Sequence, residues 1–154
     1  MKSRIAMAVA AFTATAGAAS AEQMQITTSA ERAPMKGPAE IFTGDVQVNP
    51  WFPANEHQAS SGALVEFTAG ARSAWHTHPA GQTLVVMSGT GWVQEEGGVK
   101  RQIKAGDVIW TPPGVKHWHG ATDQEAMSHI AITNAKDGAN VTWMEQVTDE
   151  HYLD

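Results

Sequence analysis

What most constrains this chain is how often its apolar runs are cut. Short stretches rich in Val, Ile, Thr, Phe and Trp, at residues 41–48, 63–68, 74–78, 83–88, 91–94, 99–103, 107–111, 117–121, 127–133 and 141–147, are separated by turn residues almost throughout. Glu95-Glu96-Gly97-Gly98 reads as a hairpin connection. Thr111-Pro112-Pro113-Gly114 is a turn that no helix can pass, because proline has no N–H and its ring clashes with the preceding turn. No long helical period interrupts the series, and a last turn around residues 148–153 is the one helical expectation. The pattern predicts an all-β sandwich or barrel without internal repeats.

The ends and the charge narrow the setting. Lys2 and Arg4, a small and apolar run over residues 5–19, and Ala19-Ser20-Ala21 have the layout of a signal peptide at residues 1–21. That run is short of the roughly 20 residues that span a bilayer, so no membrane association is expected after cleavage. Export, to a periplasm where the cell has one, is the expected localisation. Residues 22–40 are polar and rich in Ser, Pro and Gly, and read as an arm or linker with at most a short strand near Ile26. Residues 41–154 then form a single barrel domain with enough chain to bury one core. There is no cysteine, so disulfides contribute nothing. The formal net charge is −6, and cleavage would make it more negative by removing Lys2 and Arg4. Lys100, Arg101 and Lys104 make only a short solvated run, which argues against nucleic acid as a partner.

The chemistry concentrates in Gly70-Ala-Arg-Ser-Ala-Trp-His76-Thr-His78-Pro-Ala-Gly-Gln82 and in Gly106-Asp-Val-Ile-Trp-Thr-Pro112-Pro-Gly114-Val-Lys-His117. Alternate residues of a strand share a face, so His76 and His78 can meet one metal ion, with His117 and Gln82 to complete the set. Gln82 either lends its amide oxygen or points away, leaving three histidines. As a ligand it would leave the full divalent charge on the ion, which favours Lewis-acid chemistry over dioxygen redox chemistry. His119 lies two residues beyond His117 and either faces the same cavity or is a structural or solvated histidine. His129 faces the cavity if Ile130 and Ile132 turn to the hydrophobic layer outside it. Ala63, Val65 and Phe67 alternate on one face, where the small Ala63 could leave room for a pocket. Trp75, Trp92, Trp110 and Trp118 flank the motif positions as packing residues.

Gly70, His76, His78 and Gly89 stand at the spacing of the first cupin motif, with Gln82 where that superfamily usually has Glu. Gly106, Pro112, Gly114 and His117 fit the second, with Ala121 in place of Asn. The resemblance implies a cupin jelly roll. The phrases Gly-Gln-Thr-Leu-Val-Val, Pro-Gly-Val-Lys-His-Trp-His-Gly and Trp-Met-Glu-Gln-Val-Thr-Asp-Glu are similar to the small bacterial manganese-dependent (R)-hydroxynitrile lyases. That likeness implies metal ligation by His76, His78, Gln82 and His117, with Mn as the ion and Fe, Ni or Zn as alternatives. It implies His129 as the active-site histidine, with His119 the weaker candidate for acid/base work, and Thr133 in place of a pocket Gln of some members. The expected reaction is reversible cleavage of an α-hydroxynitrile to an aldehyde and hydrogen cyanide. The substrate is then a small carbonyl or hydroxy compound, and the assembly a homo-oligomer, dimer or tetramer, whose arms pack on neighbours. Other classes compatible with the motifs are a dioxygenase, isomerase or decarboxylase-associated cupin, and a non-enzymatic metal or ligand binder of the cell envelope.

Overall fold

Gly89 decides the shape of the molecule. It sits within the longest strand with φ of +69°, and a Cβ there would collide with the carbonyl of Ala126, so the strand bends at this point instead of ending. The computed structural model describes residues 23–154, and the expected signal peptide lies outside the described residues. The strands are β1 Met35–Lys36, β2 Phe42–Thr43, β3 Val46–Phe52, β4 Ser60–Phe67, β5 Arg72–Ser73, β6 His76–Thr77, β7 Gln82–Glu95, β8 Arg101–Lys104, β9 Val108–Thr111, β10 His117–Ala121, β11 Met127–Asn134 and β12 Thr142–Trp143. A 3-10 turn covers Ser29–Glu31, and the helix α1 covers Asp149–Leu153.

Every pairing is antiparallel. The first half of β7 lies between β9 and β11, in a sheet that continues through β4 and β3 to β1. Its second half lies between β8 and β10, in a sheet that continues through β5 to β2. One bent strand thus joins the two sheets of a curled all-β half-barrel. Phe42, Val46, Val65, Phe67, Val86, Val93, Ile103 and Met127 fill the space between them. A second apolar cluster, Trp75, Trp118, Val147 and Tyr152, lies on the far side of β10.

The C-terminus is fastened over that second cluster. Thr148 caps α1 by accepting the amide N–H of His151 at 3.1 Å. The hydroxyl of Tyr152 donates to the Ala121 carbonyl at 2.8 Å, and the buried Arg72 donates to the Val147 carbonyl and to Asp149.

The sequence locates most strands but not all their limits. The two runs expected at 83–88 and 91–94 are a single strand, because glycine lets the chain turn the corner without losing its pairing. The run expected at 41–48 divides at Gly44, φ +81°, and continues to Phe52 through Pro50, where a register shift accommodates the proline. The short strand expected near Ile26 lies instead at Met35–Lys36, which finds β3 as a partner. Of 141–147 only Thr142–Trp143 pairs as a strand. Trp110, expected to be a packing residue, is 54% exposed on the edge strand β9.

Candidate functional site

Strand alternation gathers the histidines. His76 on β6 is register partner to His117 on β10, and their ring centres are 4.3 Å apart. His78 follows β6, Gln82 opens β7 and His119 shares the inward face of β10 with His117. From β11 come His129 and Thr133, the latter in register with Gln82. All seven side chains are buried. Six of them, all but His117, line a cavity of about 590 Å3 whose remaining walls include Phe42, Ala63, Val65 and Trp143. The space expected beside Ala63 is therefore present.

Hydrogen bonding fixes which nitrogen each motif histidine turns inward. Nδ1 of His76 lies 2.9 Å from the Ala74 carbonyl, that of His78 lies 2.6 Å from the Asn140 carbonyl, and that of His117 lies 3.0 Å from the Val115 carbonyl. A carbonyl only accepts, so all three Nδ1 atoms carry the proton. Their Nε2 atoms are then bare in the neutral rings, which is the form that binds metals. Neutrality is enforced by burial. It pushes the His117 pKa down to about 4, depresses His78, and, with the nearby His117, holds His76 well below the ordinary histidine value.

One contact follows as a puzzle. His117 Nε2 is 3.2 Å from Gln82 Oε1, while the Gln82 amide nitrogen is directed to Thr133 Oγ1 at 3.4 Å. With Nδ1 of His117 already donating, both atoms of the 3.2 Å contact are acceptors with no proton between them. Two lone pairs facing each other repel, and the contact turns favourable either with a cation among them or with the amide turned over to donate to His117 while Thr133 donates to its oxygen. Nε2 of His78 is likewise buried and has no partner. The donor set and its orphaned acceptors fit a divalent ion.

A second pair lies deeper. His129 Nε2 is 3.1 Å from His119 Nδ1, and the rings of both pack against Phe67. Burial pushes His129 down to about 4 and, with the neighbouring His129, holds His119 well below its usual value. The opposite nitrogens, His129 Nδ1 and His119 Nε2, are buried and unpartnered.

Known proteins are similar to this chain in sequence and in fold. Residues 63–133 match the cupin domain. The (R)-mandelonitrile lyase of Granulicella tundricola is 53% identical over 129 residues, which cover 84% of this chain and 98% of that protein. This chain belongs to the cupin family. A cupin-like protein of Thermotoga maritima is 40% identical, with a TM-score of 0.72 over 76% of this cupin and 89% of that chain. A cupin-2 domain protein of Rhodospirillum rubrum, at 17% identity and a TM-score of 0.64, shares the fold over 85% and 84% of the two chains.

All six residues singled out in the sequence come together in this cupin, although not as one equidistant set. Among the described residues, ligand nitrogens of His76, His117 and His119 all lie within 4.8 Å of one another. His78 stands outside that group, with its ring centre 5.0 Å from that of His76 and 5.5 Å from that of His117. His119 is thus close to the candidate ligands as well as to His129. Trp143, whose ring lies 4.7 Å from that of His76, entered the sequence reading by name only as the first residue of a family phrase and with no role, and the Asn140 carbonyl that holds His78 did not enter it. A backbone acceptor leaves no trace in residue type, and Trp143 carried no ligating group that would mark it.

Proposed function

We propose that this cupin holds a divalent metal ion at His76, His78, Gln82 and His117 and reversibly cleaves α-hydroxynitriles to an aldehyde and hydrogen cyanide. The observation that carries the metal assignment is that His76, His78 and His117 each spend Nδ1 on a backbone carbonyl and so present a bare Nε2 beside Gln82. Manganese is the ion the family likeness suggests, and when bound it would supply Lewis acidity toward a hydroxyl or carbonyl oxygen. The similarity to a protein named (R)-mandelonitrile lyase supports the choice of reaction.

The chain's own residues would do the rest. The apolar walls at Phe42, Val65 and Trp143 accept the organic part of the substrate and exclude water from it. The His119–His129 pair moves the proton. If His129 Nε2 carries the shared hydrogen, His129 Nδ1 is a free base and His119 Nε2–H a free acid; if His119 Nδ1 carries it, the roles exchange. In the cleavage direction the substrate O–H gives its proton to the base nitrogen. The C–CN bond breaks with its electron pair on cyanide, C=O forms, and a proton from the pair completes hydrogen cyanide. The count balances without a further reactant. Burial keeps both rings neutral near pH 7, so each has one N–H and one bare nitrogen.

For the assembly we keep a homo-oligomer. The first half of β7, together with β9 and β11, carries no Asp, Glu, Lys or Arg, while Met87, Val108 and Trp110 are exposed there. Two copies, each of net charge −6, could meet on that uncharged face, which sedimentation would reveal.

Cyanide release from mandelonitrile tests the function. Turnover should vanish when a chelator strips the protein and return on adding manganese. Full activity of the stripped protein, or no turnover by metal-replete protein, would refute the reading.

A further inference from the structure

The segment after β11 joins the second sheet only at its margin, through β12, yet it touches the histidine cluster twice. Asp137 and Gly138, with φ of +53° and +80°, form a two-residue turn closed by the reciprocal bonds between Lys136 and Ala139. This reversal delivers the Asn140 carbonyl to His78 Nδ1 at 2.6 Å. Two residues on, β12 pairs with β6, placing Thr142 opposite Thr77 and Trp143 opposite His76. The Trp143 ring lies against the His76 ring at 4.7 Å and edge-on to Phe42 at 5.9 Å, forming a wall of the cavity while remaining 36% exposed. Beyond it the segment is tied down again, by the Met144 backbone N–H to the Trp75 carbonyl at 2.8 Å and by the Gln146 side-chain amide, which donates to the carbonyls of Ala39 and Glu40.

We propose that residues 140–143 act as a clasp in which Trp143 is a positioning residue: seated on His76 and paired across β6, it keeps the Asn140 carbonyl on His78 and so sets the orientation of both rings. His78 needs such help more than its neighbours do. The Nδ1 atoms of His76 and His117 are held by carbonyls only two residues away, whereas the partner of His78 is 62 residues along the chain. Its orientation therefore depends on docking of a distant segment. His78 is also the motif histidine outside the close nitrogen group, so whether its Nε2 can join the others depends on that docking. The consequence for ion retention rests on the metal reading above; the consequence for the His78 N–H bond does not.

The test uses imidazole 1H–15N spectra of the purified chain without metal, followed by chelator competition after loading with manganese. In the wild type the His78 Nδ1–H should be visible and slow to exchange. Trp143→Ala should lose this signal to exchange while keeping that of His117 Nδ1–H, and Trp143→Phe should restore it. Gly138→Val, which strains the turn without touching the cavity, should produce the same selective loss. After loading, the alanine variant should hold manganese 10- to 100-fold more weakly, as is usual when an outer partner of a ligating histidine is lost. Equal protection of the His78 N–H in wild type and in both Trp143→Ala and Gly138→Val would overturn the clasp. A wild type that retains no ion would instead overturn the metal reading, leaving the spectra of the metal-free chain to decide the clasp.

Discussion

Strand β10 faces two environments that could hardly differ more. Inward, His117 and His119 stand in a cluster of imidazoles with unpartnered nitrogens; outward, Trp118 is packed against Tyr152 and beside Trp75 and Val147. The inward face buries groups whose charged forms are penalised, as the depressed histidine pKa values record. The outward face buries a large aromatic surface under the C-terminal helix. Because alternate residues point to opposite sides, five consecutive positions separate reactivity from stability. Substitutions on the two faces should therefore have different signatures.

The largest effect is expected inward. His129→Ala should lower lyase turnover by about 10²- to 10⁴-fold, the usual loss for an acid/base group, while metal content and circular dichroism stay near wild type. Normal kinetics would shift the proton role to His119, and loss of metal would place His129 among the ligands. Outward, Trp118→Ala should reverse the pattern. Removing a fully buried tryptophan costs about 3–5 kcal/mol in urea unfolding, with metal binding by the folded fraction kept. A stable variant that has lost its metal would show that the two faces are not independent.

Acidity sharpens the contrast. His129 has a folded pKa of about 4 against an unfolded value near 6.5, so between these pH values the unfolded chain binds more protons. Its contribution to stability is complete above about pH 6.5 and is lost as pH falls toward about 4, on the order of 3 kcal/mol for so buried a group. Urea midpoints of the metal-free protein should fall over that window and less steeply in His129→Ala. A midpoint flat from pH 7 to 4 would contradict the burial of neutral histidines. The smallest effect is expected for Gln82→Glu, where an added carboxylate should hold the ion at least as tightly yet reduce its electrophilicity and turnover. Unchanged binding and turnover would remove position 82 from the ligand set.

Much of this was legible in the residues themselves. β10 has the limits its sequence suggests, His117 to Ala121, because a strand's two faces are written locally as alternation. That His76, Gln82 and His117 lie close together was legible from spacing together with family likeness; that His119 and not His78 joins the close nitrogen group was not. The course of β7 was not, since whether Gly89 bends or ends a strand depends on the carbonyl of Ala126 across from it. The clasp was hidden for a similar reason. Asn140 acts through its backbone, and Trp143 acts through a pairing with β6 that arises only once the chain has folded back.

The proposed ion lies among the bare Nε2 atoms of His76, His78 and His117 and the amide of Gln82. Elemental analysis of the purified protein after exhaustive dialysis, run beside His117→Ala, addresses it most directly. The expected result is one equivalent of a divalent transition metal per wild-type chain and its loss in a variant whose circular dichroism is unchanged. A wild type without bound metal after loading, or a His117→Ala chain with the same metal content, would contradict it.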